Sequence, residues 1–217
     1  MLVAGDSWAG YFGDGMIKVA SKNNVIVNAG LGGCGIMLPN VIGGKKPNPS
    51  CLEWPEKWPE YMTKYRPDAV LMRTATWDMT PQSFGEYSVA LTIEHPVFRK
   101  RFEKNMNHAI EILTKHGTPV YLTNTTIGTG VWRDLSLTMN REIARIANKY
   151  KGKGVYLLDL NAELCNDSGC PKAVDGHGVY DELAHPADWS RDRLAKWILN
   201  SMFSDSPAAR NPDHQHS

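Results

Sequence analysis

The sequence predicts an α/β domain built on a parallel sheet covered on both faces. Three observations lead there. Strand-like and helix-like segments alternate along the chain. The strand-like segments are short, continuous apolar runs, as expected where both sheet faces are buried. The length of 217 residues, with 42% hydrophobic and 22% charged, is enough for a sizeable core.

Met1–Ala4 is a short apolar run that ends in Gly-Asp-Ser and reads as strand then turn. Tyr11–Lys22 has helical spacing of apolar residues and stops at Asn23-Asn24. Val25–Asn28 reads as a second strand, followed by the glycine-rich segment Gly30–Gly35 and a Gly/Pro/Asn loop over Pro39–Cys51. Trp54–Tyr65 reads as a short helix with Pro55 in its first turn, although Pro59 disturbs the register. Ala69–Arg73 is a third strand. Phe98–His116 is an amphipathic helix, with Phe98, Phe102, Met106, Ala109, Ile110 and Leu113 on one side and Gly117 as its stop. Val120–Asn124, Leu137–Tyr150, Val155–Leu160 and Arg191–Phe203 follow as strand, helix, strand and closing helix. No internal repeat is present. Residues 1–203 are read as one domain, and the polar, aperiodic tail over 204–217 as poorly ordered.

The formal net charge of +1 and the lack of a long basic run argue against nucleic acid as partner. No apolar run reaches the ~18 residues of a membrane span. No basic stretch followed by an apolar one opens the chain, because Gly5, Asp6 and Ser7 interrupt it. Met1 leads straight into a core strand, which points to a domain cut from a longer chain. Cys34, Cys51, Cys165 and Cys170 form two local groups in loop-like contexts. Two disulfides in an oxidising compartment are the favoured reading, with reduced thiols or zinc as alternatives; the C-x16-C and C-x4-C spacings are not zinc-finger spacings.

Parallel sheets bind ligands at the carboxyl ends of their strands. Chemistry is therefore sought in Gly5–Ser7, Gly30–Gly35, Thr74–Asp78 and Asn124–Gly130. Ser7 follows strand one directly, where its N–H would lie near a helix start and could stabilise an oxyanion. A plain turn with a helix cap explains the same tripeptide. His185 lies just before the last helix, with Asp181 and Glu182 four and three residues upstream. A serine nucleophile needs a base, and the base an acid that holds its tautomer. A surface histidine beside a solvated acidic pair is the plainer alternative.

Gly5-Asp6-Ser7 near the start, glycines after strand two, a polar segment after strand three and an acid closely preceding His185 together resemble the SGNH hydrolases. The resemblance extends over nearly the whole chain. It is strongest to SGNH domains fused behind bacterial membrane acyltransferase-3 modules, through Gly33-Cys34, Cys51-Leu52-Glu53-Trp54, Trp58, Pro67-Asp68-Ala69-Val70 and Trp77-Asp78. It implies a three-layer α/β/α sandwich with a flavodoxin-like parallel sheet. It also implies that Ser7 is the nucleophile and first oxyanion donor, that Gly33 supplies the second N–H, and that His185 is the base. Neither cofactor nor metal is needed for that chemistry.

Two departures from the family pattern matter. Its third block is usually Gly-x-Asn-Asp, and Trp77 stands here where the asparagine donor belongs. Asp-x-x-His spacing would select Glu182 as the acid, whereas residue type favours Asp181. Trp8, Asp78 and His177 are candidate substrate contacts; packing, helix capping and loop structure are their respective alternatives. Trp77 and Trp132 also follow strands and would suit a sugar face, while Trp54 and Trp58 read as one packed helix face. Arg73 ends strand three within an apolar run and needs a partner that the sequence does not identify.

The leading functional expectation is acetyl or short-acyl transfer from an acyl donor to a sugar hydroxyl of a cell-surface glycan. It would occur on the extracytoplasmic side of a membrane, within a larger membrane acyltransferase. A free-standing secreted carbohydrate esterase and a non-catalytic glycan-binding domain are the alternatives. Transfer would rise with added glycan, hydrolysis would not, and the binding domain would show affinity without turnover.

Overall fold

The computed structural model describes residues 1–86, 89–166 and 169–203; the tail expected from Ser204 onward lies outside them. The chain runs through β1 (Leu2–Gly5), α1 (Ser7–Val19), β2 (Val27–Gly30), β3 (Val41–Ile42), α2 (Trp54–Tyr65), β4 (Val70–Arg73), α3 (Thr76–Met79) and β5 (Gln82–Ser83). It continues through α4 (Pro96–Leu113), β6 (Val120–Thr123), α5 (Val131–Lys149), β7 (Val155–Leu158), α6 (Leu160–Leu164), β8 (Ala173–Val174), β9 (His177–Gly178) and α7 (Asp188–Phe203).

The central sheet has the order β2-β1-β4-β6-β7, and every pairing in it is parallel. The chain moves outward from β1 to β2 and then crosses back to β4. The direction of winding therefore reverses between β1 and β4, and a crevice opens above their carboxyl ends.

The strands are apolar throughout because successive side chains enter two different cores. Leu2, Ala4, Val70, Met72, Val120, Leu122 and Val155 pack beneath α2, α4 and α5. Val3, Leu71, Tyr121 and Leu158 face the opposite layer, formed by α1 and α7. This is the expected three-layer α/β/α arrangement. No helix among the described residues is long and apolar enough to cross a membrane.

Several boundaries move relative to the sequence reading. α1 begins at Ser7, not Tyr11, because the Asp6 carboxylate caps it, accepting from the N–H groups of Trp8 at 3.0 Å and Ala9 at 3.2 Å. The glycines at 10, 13 and 15 mask the helical pattern in the sequence. β2 lies two residues later than expected, since Val27–Gly30 are the residues in register with Leu2–Gly5. α5 and α7 start at Val131 and Asp188, ahead of Leu137 and Arg191, and Leu160 opens α6 instead of ending a strand. The two-residue strands β3, β5, β8 and β9 are too short to show a periodicity. α2 matches its expected span with Pro59 inside it.

Candidate active site

Gly5 ends β1 at φ +134°, and a Cβ there would fall 1.7 Å from the Arg73 carbonyl oxygen of β4. Only glycine allows the two strands to approach so closely while the chain turns into α1. Ser7 is thus the first residue of a helix that starts over the crevice. Arg73, the buried cation without an evident partner in the sequence, forms an ion pair with Asp6, and both side chains are almost wholly buried. Its guanidinium also lies 4.7 Å from the Trp8 ring centre. Burial pulls the Arg73 guanidinium below its ordinary pKa, and the Asp6 carboxylate opposes that fall.

His185 Nε2 lies 2.9 Å from Ser7 Oγ, across a sequence separation of 178 residues. The loop that carries it is a tight turn. The Asp181 N–H donates to the His185 carbonyl at 2.8 Å, the Ala184 N–H to the Asp181 carbonyl at 3.1 Å, and Ala184 adopts φ +59°. That left-handed residue absorbs the extra position between acid and histidine, so the four-residue spacing returns His185 above Asp181. Asp181 Oδ1 stands 3.8 Å from His185 Nδ1. It also accepts the N–H groups of Leu183 at 2.8 Å and His185 at 2.9 Å. Partial burial pushes the Asp181 carboxyl up, but these two backbone donors, the nearby imidazole and the Tyr11 hydroxyl together hold it below the usual value. Glu182 is exposed on the outer side of the turn. Of the two candidate acids, the turn brings Asp181 to the histidine.

The loop after β2 forms the opposite wall. The Leu31 N–H donates to the Gly5 carbonyl at 2.9 Å, which ties this loop to the strand that carries Ser7. Gly33 adopts φ +77°, and the space where its Cβ would stand faces the Trp77 indole, with ring atoms 3.9–4.0 Å away. Gly33 and Trp77 are therefore neighbours. Cys34 is bonded to Cys51 and Cys165 to Cys170, and no free cysteine remains. The readings as reduced thiols or zinc ligands are thereby corrected. The first disulfide anchors the residue next to Gly33.

Two candidate substrate contacts have other roles. Asp78 is fully buried and does not face the crevice. Its carboxylate accepts from the Ile36 N–H at 3.0 Å, the Met37 N–H at 2.9 Å and the Thr74 hydroxyl, and so holds the far end of the glycine loop. Burial pushes its pKa up to about 6. Trp8 is 5% exposed and packs against Phe12, Tyr180 and Arg73, so its size serves the core and not a substrate. His177 is exposed on β9, stacked on Trp189 with ring centres 4.7 Å apart. Trp54 and Trp58 form the expected packed face, with centres 5.1 Å apart. Trp132 is 40% exposed at the start of α5.

Sequence reasoning missed Tyr11. Its ring stacks on His185 with centres 4.6 Å apart and planes 5° from parallel, and its hydroxyl donates to Asp181 Oδ2 at 3.3 Å. The available signal was its position one helical turn after Ser7, which places both on one face of α1.

The model of the SGNH domain fused to AT3 domains matches residues 1–138, a span that includes Ser7, Gly33 and Trp77 but ends before Asp181 and His185. Comparison with the curated proteins finds no match. Among solved structures, the fold is shared with a protein assigned to the lipolytic G-D-S-L family from Desulfitobacterium hafniense. That pair has TM-score 0.62 and 13% identity, covering 91% of this chain and 95% of the other. The periplasmic domain of a lipopolysaccharide acetyltransferase from Salmonella Paratyphi A aligns with TM-score 0.52 and 13% identity over 93% of this chain and 82% of its own. A family 2 carbohydrate esterase with a carbohydrate-binding domain, from Corynascus thermopiles, aligns with TM-score 0.56 and 17% identity over 93% and 65%. At these identities the structures establish the fold, and the family rests on the domain model. The chain belongs to the SGNH domain family found fused to AT3 domains, and is an SGNH-type acyltransferase or esterase.

Proposed function

We propose that this domain transfers a short acyl group, acetyl in the first instance, to a sugar hydroxyl of a cell-surface glycan through an acyl-Ser7 intermediate. The observation that carries the reading is the 2.9 Å contact between His185 Nε2 and Ser7 Oγ at the switch point of a parallel sheet. His185 takes the Ser7 proton as Oγ attacks the donor's carbonyl carbon. The resulting oxyanion is met by the N–H groups of Ser7 and Gly33 and by the Trp77 indole N–H. Collapse of the tetrahedral intermediate breaks the bond to the donor's alkoxide, and His185 returns the proton to that oxygen. The acceptor hydroxyl then gives its proton to His185 and attacks the acyl-serine. The ester forms on the sugar, and the proton goes back to Ser7.

Two features support the finer parts of this reading. Both cysteine pairs are oxidised, in keeping with an extracytoplasmic site. The matched family consists of domains fused to AT3 partners, in keeping with a place in a larger membrane acyltransferase.

The test is turnover of p-nitrophenyl acetate and p-nitrophenyl butyrate by wild type and Ser7→Ala, each with and without added oligosaccharide. Acetate turnover that is lost in a folded Ser7→Ala protein and rises with the sugar supports acyl transfer. Serine-dependent turnover indifferent to sugar assigns the domain to ester hydrolysis instead. Equal rates in wild type and Ser7→Ala would remove Ser7 as nucleophile.

A further inference from the structure

We propose that Tyr11 is a positioning residue for the base, and that its ring, more than the Asp181 carboxylate, sets the plane of the His185 imidazole. The inference rests on the reading of Ser7 and His185 as nucleophile and base.

His185 Nδ1 is buried and has no hydrogen-bond partner. The acid that would ordinarily orient it stands 3.8 Å away, beyond hydrogen-bonding distance. Asp181 Oδ1 is engaged by two backbone N–H groups and Oδ2 by the Tyr11 hydroxyl. Rotation of an imidazole about its outer bond is otherwise only weakly restricted. The contact that defines the ring plane is the near-parallel Tyr11 stack, with centres 4.6 Å apart.

The helix makes this arrangement economical. Ser7 and Tyr11 are one turn apart on α1, so the segment that presents the nucleophile also presents the platform for the base. The Tyr11 hydroxyl then joins the platform to the loop that carries the acid. Partial burial and the neighbouring Asp181 raise the Tyr11 pKa, so the hydroxyl remains a donor at neutral pH. The charged groups facing this cluster are Asp181 on the loop, Asp14 on α1 and Arg191 on α7. A tyrosine face over the ring also favours the imidazolium that forms when Ser7 is deprotonated.

The experiment compares Tyr11→Phe, which keeps the ring, with Tyr11→Leu, which keeps apolar cover but removes it. It reads kcat, KM and the chemical shift of the His185 Cε1 proton in the full chain. Tyr11→Leu is expected to lower kcat by about tenfold with KM unchanged, as loss of alignment requires. Its His185 Cε1 proton should move downfield as the stacked ring is lost. Tyr11→Phe should stay near wild type in all three. Wild-type kcat with an unmoved Cε1 resonance in Tyr11→Leu, or equal losses in the two variants, would overturn the proposal. Should Tyr11→Leu fail to fold, the wild-type spectrum still decides. A stacked ring shifts the His185 Cε1 proton upfield, and a resonance at the ordinary position would refute the stack. A wild type with no turnover would remove the acyl-serine reading, while the Cε1 resonance would still test Tyr11.

Discussion

Replacing Arg73 by methionine tests how the helix that begins at Ser7 is held. The side chain of Arg73 is 1% exposed and that of its partner Asp6 is 0% exposed. Methionine matches much of the arginine's volume, so the packing loss is small and the electrostatic loss dominates. The Asp6 carboxylate would remain buried with only the Trp8 and Ala9 N–H groups to balance its charge. Removing one partner of a buried pair costs about 3–5 kcal/mol, because the other charge is left uncompensated. For a domain of this size that is a fall in Tm of roughly 6–20 °C. Asp6→Asn should be similarly costly. Asparagine still caps the helix, but the guanidinium then keeps only the Thr125 hydroxyl at 3.4 Å as a side-chain partner. The double variant Asp6→Asn/Arg73→Met removes both charges and should recover at least about 2 kcal/mol relative to the sum of the single losses. Urea denaturation followed by circular dichroism gives all four stabilities. A loss below about 1 kcal/mol in Arg73→Met, or strict additivity in the double variant, would refute the claim that this pair is a coupled, desolvated unit.

Three further predictions concern the glycine-loop wall. Trp77→Phe keeps a ring beside Gly33 but removes the indole N–H, and should lower kcat by about 10²-fold with little change in KM; full activity would show that the indole donates nothing to the oxyanion. Replacing Cys34 and Cys51 by serine opens a closure across a sequence separation of 17 and should cost about 3 kcal/mol in a urea titration. It should also lower kcat more than the same change at Cys165 and Cys170, since only the first pair anchors the residue beside Gly33. Asp78 makes stability depend on pH. Burial raises its carboxyl from 3.8 in the unfolded chain to about 6 in the folded one, so the folded state holds the proton more tightly. Its contribution to stability is therefore most favourable below about pH 4 and declines as pH rises through 6, by about 3 kcal/mol in all. The stability of wild type relative to Asp78→Asn, measured by denaturant at pH 4 and pH 7.5, should fall across that window; an unchanged difference would show that Asp78 does not titrate there.

Much of this architecture is legible in the chain because the information is local. The apolar runs at Leu2–Ala4, Val70–Arg73 and Val120–Thr123 mark doubly covered strands, and the spacing from Phe98 to Leu113 marks a helix face. Ser7 and His185 can be nominated from residue type and from placement after a strand or before the closing helix, and Gly33 from the family resemblance. Boundaries are less legible where a cap overrides propensity. Asp6 starts α1 ahead of a glycine-rich stretch that reads as broken. Trp8 shows the opposite failure. An aromatic residue next to the nucleophile looks like a substrate contact, yet the helix rotation turns it onto Phe12 and Tyr180.

By itself the sequence determines the parallel α/β scaffold and nominates candidate residues at its strand ends, because residue type and short-range periodicity are properties of the chain. Only the tertiary structure shows that Asp181, and not Glu182, lies beside His185, through a turn in which Ala184 is left-handed. It also supplies the partner of Arg73, 67 residues away at Asp6, and the ring that stacks on His185. Each of these is a contact between segments far apart in sequence. Such contacts leave no local pattern, because what selects them is the desolvation of charge and the fit of surfaces once the sheet has brought the segments together.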